Sequence, residues 1–106
     1  MMLRIHEVCL QMVRDVRPMA EAIGERDRDQ ARQLRRSMTS VVLNLAEGYG
    51  SRGGTKRARY ENALGSARET LANLEVAEAI GYVGPLEPVV RERFDQIIGT
   101  LVMLVY

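Results

Sequence analysis

The chain lacks tryptophan and has one phenylalanine, one histidine and one cysteine. The lone Cys9 excludes an internal disulfide, and a reducing compartment is the simpler setting. His6 and Cys9 stand one helical turn apart, but two ligands do not make a zinc site and no second pair follows. His6 also has no partner serine for a hydrolytic triad. No catalytic constellation emerges, so a protein that is not an enzyme and carries no cofactor or metal is expected. Long apolar runs are missing too. The longest, IIGTLVMLVY, is interrupted by Gly99 and Thr100 and falls well short of the roughly 20 residues that span a bilayer. The start, MMLRIHEVCLQMVRDV, has charges throughout its apolar stretch, unlike a signal peptide. A cytoplasmic protein with no membrane role is expected.

What is present is aliphatic. Hydrophobic residues make up 46% of the chain, and with so few aromatics the core must be Leu, Val, Ile, Met and Ala, which suits packed helices. A length of 106 residues suits one domain, 1–106, with one core.

Apolar spacing predicts four helices. The first spans about 3–23, with Ile5, Cys9, Met12, Val16, Met19 and Ile23 on a seam of alternating steps of four and three. Pro18 lies inside it and should kink it near Arg14. Asp27 or Asp29 is placed to cap the second helix, about 30–47, with Ala31, Leu34, Met38, Val41 and Leu45 facing in. Its end, VVLNLA, is apolar around almost the whole circumference, which implies burial on all sides and an interface between subunits. The third helix, about 56–80, is capped by Thr55 and turns Tyr60, Leu64, Ala67, Leu71 and Leu74 inward. The fourth, about 86–104, tolerates Pro88 in its first turn and buries Val90, Phe94, Ile97, Leu101 and Leu104. No strand pattern or repeat is found. Short joints between four helices predict an all-α, antiparallel up-down four-helix bundle.

Gly48, Gly50 and Gly53 match the spacing G-x-G-x-x-G. A dinucleotide loop needs a strand before the glycines and a βαβ unit around them, whereas a helix precedes these. They read instead as a mobile reversal between helices two and three. Asn44 and Glu47, one turn apart beside it, read as structural: they bond to backbone at the glycine joint, or Glu47 pairs with an arginine.

Charge is uneven. Residues 30–60 hold seven basic residues (Arg32, Arg35, Arg36, Arg52, Lys56, Arg57 and Arg59) against one acid, Glu47. The rest of the chain holds eight basic and thirteen acidic residues. Arginine dominates, with Lys56 the only lysine. The guanidinium fork suits phosphate, and these seven residues are the candidate nucleic-acid contacts.

Several stretches together resemble a known family: Arg35-Arg36, then Asn44-Leu45-Ala46-Glu47-Gly48, Ala63-Leu64-Gly65-Ser66 and Gly81-Tyr82. The chain is similar to the small bacterial four-helix proteins encoded in intervening sequences of large-subunit ribosomal RNA genes, often labelled S23. It also resembles the accessory variability determinant of diversity-generating retroelements. Ser51 and Ala58 depart from the usual pattern, where an arginine and a phenylalanine are common. The resemblance implies a homopentamer, binding of nucleic acid, structured RNA first, and in retroelement members association with a reverse transcriptase. It marks Asn44, Glu47 and Gly48 as family motif. The competing reading is a protein-interaction scaffold with no nucleic-acid role.

Overall fold

A computed structural model describes residues 2–106, with side chains from Arg4 onward. Four helices account for nearly all of it: α1 Met2–Gly24, α2 Arg28–Tyr49, α3 Gly53–Ile80 and α4 Pro88–Val105. Each packs on its neighbour in sequence, and α4 closes back on α1, as a four-helix bundle requires. At 1.5 Å per residue the 28 residues of α3 extend about 42 Å, the longest dimension of the molecule.

The helix ends follow local chemistry. The Asp27 carboxylate accepts the Gln30 N–H at 3.0 Å, so Asp27, not Asp29, caps α2. At the end of α3, Gly81 adopts φ +96°. Its N–H bonds the Glu78 carbonyl at 3.0 Å, and the Tyr82 N–H bonds Ala77 at 2.9 Å, a Schellman closure that needs the left-handed glycine. Pro88 opens α4, where its missing N–H costs nothing. Helix α1 runs unbroken through Pro18.

The joint between α2 and α3 differs from expectation. Helix α2 continues through Gly48 and Tyr49, and α3 already begins at Gly53. Gly50, Ser51 and Arg52 alone connect them, so the mobile reversal expected across residues 48–55 does not exist. Thr55 lies inside the first turn of α3, and the capping position falls to Arg52, whose side chain caps nothing. Tertiary contact is the reason α2 persists. A Cβ on Gly48 would lie 2.6 Å from Tyr60 Cε1, so the glycine lets the buried Tyr60 ring press against the backbone of α2. Gly53, at φ +57°, makes the reversal.

The core follows the predicted seams with small departures. Ala20 is fully buried and Met19 only partly; Val105 is buried while Leu104 is 37% exposed. Both reflect the 3.6-residue period, which a strict heptad overruns within a few turns. VVLNLA is not buried all round within the protomer: Leu43 is 56% exposed.

Candidate nucleic-acid interface

Between α2 and α3 the groove side of the packing is polar. On α2, Ser37, Ser40 and Asn44 follow steps of three and four; on α3, Ser66, Thr70 and Asn73 follow the mirrored steps. Antiparallel packing brings the two series together. The Gln30 amide bonds Asn73 at 3.1 Å, Thr70 bonds Ser37 at 2.8 Å and Ser66 bonds Ser40 at 2.8 Å. Asn44 Nδ2 donates to the Ser40 carbonyl at 3.0 Å and to Ser40 Oγ at 2.9 Å. Arg59 pairs with Glu47 at 3.1 Å. Thr70 is fully buried, and no described buried polar side-chain atom lacks a partner.

Ser37, Ser40, Asn44 and Ser66 of this seam form the floor of an open groove that Glu69 also lines. Arg32, Arg35 and Arg36 stand along its α2 edge, and Arg59 stands toward its far end. Four of the seven candidate cations therefore line one groove, three at one end and Arg59 toward the other. Arg52, Lys56 and Arg57 do not line the groove; they lie at the joint and the first turns of α3. On α2, Arg36 and Glu47 are eleven residues apart, about 16 Å along the axis, so the basic segment folds into two clusters.

Pairing divides the cations further. Arg32 bonds Asp29, holding that carboxyl below its ordinary range. Arg57 meets Glu61 at 3.5 Å, and Arg59 meets Glu47. Arg35, Arg36, Arg52 and Lys56 have no carboxylate within ion-pair distance among the described residues, and both Arg35 and Arg36 are exposed.

Glu47 is thus paired with an arginine, as its position suggested, and its carbonyl accepts from the Ser51 hydroxyl at 2.7 Å. Asn44 bonds one turn back to Ser40, not to the glycine joint. The serines and threonine of the seam escaped the sequence reading. Their mirrored spacing beside the apolar seams was the available signal. Elsewhere, Tyr82 is half-buried under the Arg26 guanidinium, 5.5 Å from its ring centre. Among the described residues no cluster of three His, Cys, Asp or Glu could hold a metal, and no helix is long and apolar enough to cross a membrane.

Fold and site define an all-α four-helix protein with an arginine-edged polar groove. The chain belongs to the 23S rRNA-intervening sequence protein family, whose profile matches residues 2–102. No curated protein matches it. Among solved structures it is similar to a Bacteroides thetaiotaomicron VPI-5482 protein of unknown function from the S23 ribosomal protein family. That likeness has a TM-score of 0.82 at 20% identity and covers 95% of this chain and 97% of the other. At that identity it speaks for the fold alone.

Proposed function

We propose that this protein is a non-enzymatic oligomeric adaptor that binds nucleic acid, structured RNA first, through the α2–α3 groove and the basic start of α3. The observation that carries the reading is the pair Arg35 and Arg36: two exposed guanidiniums without acidic partners, beside a floor of hydroxyl and amide groups. Guanidiniums already paired with carboxylates must give up those bonds to meet phosphate; free ones do not. Contacts of this kind position a backbone and carry little sequence information. The family's rRNA-linked name is in keeping with an RNA partner.

The adaptor acts as a homo-oligomer, a homopentamer by family resemblance, in the cytoplasm, and a reverse transcriptase is a candidate protein partner. Exposed Leu43, Val76, Ile80 and Met103 supply apolar surface for subunit or partner contacts. They also favour the second reading, a protein scaffold without nucleic acid.

The test is affinity for a structured RNA and for duplex DNA across a salt series. Micromolar or tighter binding that weakens steeply with salt is expected. Absence of binding at low salt would refute the nucleic-acid reading and leave the scaffold.

A further inference from the structure

The floor of the groove offers something that phosphate does not need. The Asn44 amide nitrogen donates to both the carbonyl and the hydroxyl of Ser40. A carbonyl only accepts, so the nitrogen faces Ser40, and a flipped amide would set its oxygen against the Ser40 carbonyl. Oδ1 has no protein donor among the described hydrogen bonds. Asn44 is half-buried and lines the groove, and no buried polar side-chain atom there is unsatisfied, so Oδ1 meets solvent.

The seam holds this acceptor in place. Ser40 Oγ receives Asn44 Nδ2 on one side and the Ser66 hydroxyl on the other, so the amide is fixed from both helices. A rigid, outward acceptor lies about 12 Å along α2 from Arg36 and about one turn from Glu47, which holds Arg59. The groove thus presents the unpaired Arg35 and Arg36, then this acceptor, then the Arg59–Glu47 pair. A ligand that matches it carries an anion for the free arginines and a hydroxyl donor further along. Deoxyribose backbones have the anions but not the donor; ribose backbones have both, in the 2′-hydroxyl.

We propose that Asn44 Oδ1 accepts a ribose 2′-hydroxyl, so that the α2–α3 groove selects RNA over DNA by its backbone. The inference rests on the nucleic-acid reading above, and it places the selection in an uncharged side chain, apart from the arginines. One net hydrogen bond corresponds to roughly a fivefold change in affinity.

The test uses the full chain and one hairpin sequence in three chemistries: RNA, DNA and 2′-fluoro RNA. The fluoro sugar keeps the ribose pucker but cannot donate. Fluorescence anisotropy at one low salt concentration gives the three affinities for wild type and for Asn44→Ala. RNA is expected to bind about fivefold tighter than the other two, and Asn44→Ala to close that gap. The ligand-side comparison needs no variant, so a folding defect cannot obscure it. Equal binding of RNA and 2′-fluoro RNA by wild type would overturn the inference and leave the basic-surface reading intact. A preference that survives in folded Asn44→Ala would overturn the role of Asn44. Failure of all three ligands to bind would overturn both readings.

Discussion

At Gly48 a single missing carbon decides how close two helices come. Its Cβ would fall 2.6 and 2.7 Å from Tyr60 ring atoms and 3.3 Å from Arg59 Cβ. The ring is buried and cannot swing clear without opening the core. Gly48→Ala should therefore destabilise the fold by about 1–3 kcal/mol, as overpacking does. Gly65 is the contrast: it is exposed within α3, and nothing lies within 4 Å of its absent Cβ. Gly65→Ala should stabilise by roughly 0.5–1 kcal/mol, the helix-propensity difference. Thermal melts of the two variants should move in opposite directions. Cys9 gives a pH prediction at the same scale. Burial pushes its thiol from 9.0 up to about 12. The folded state holds the proton more tightly than the unfolded one. Cys9 therefore leaves stability unchanged below pH 9 and lowers it as pH rises from 9 toward 12. An aromatic disulfide reagent at pH 8 should label the denatured chain and spare the native one; equal labelling would contradict the burial.

Among the elements, α2 shows what sequence can and cannot report. Its start was readable to within two residues, Asp27 or Asp29, because capping is local: Asp27 needs only the N–H three residues on. Asp27→Ala should cost about 1 kcal/mol, and Asp27→Ser should restore most of it, both measured by urea unfolding. The inward seams were readable for a similar reason, since Leu34, Val41 and Leu45 recur at the helical period. Its end was not. Glycine carries a propensity penalty within a helix, and only contact with Tyr60, from the next helix, shows why α2 continues through Gly48. The groove was half readable. Arg35 and Arg36 announce themselves by charge. Ser40 and Ser66 become a floor only when α3 folds back on α2, and their sequence separation of 26 hides the bond between them.

For the whole molecule, charge and assembly must be argued together. One groove offers two unpaired arginines, and contacts so few give weak binding, within the range of non-specific association. Replacing both, as Arg35→Glu with Arg36→Glu, should flatten the dependence of log affinity on log salt by about 1.4–1.8, since each lost phosphate contact removes about 0.7–0.9. Arg57→Glu should do less, because Arg57 already faces Glu61. An oligomer changes the arithmetic. Several grooves on one particle turn later contacts into intramolecular ones, and affinity for a long RNA rises without any new contact. Leu43, 56% exposed in the last two turns of α2 and lining the groove, is one of the residues whose apolar surface an isolated protomer leaves uncovered. Leu43→Gln keeps the groove's charge and removes an apolar contact. If Leu43 lies between subunits, sedimentation should show the variant shifting toward monomer. Affinity should then fall steeply for an RNA long enough to reach several grooves and little for one that fills a single groove. Equal losses on both would place Leu43 in the RNA contact itself. Wild type sedimenting as a strict monomer at micromolar concentration would remove the oligomer and, with it, the means by which two arginines per groove bind tightly.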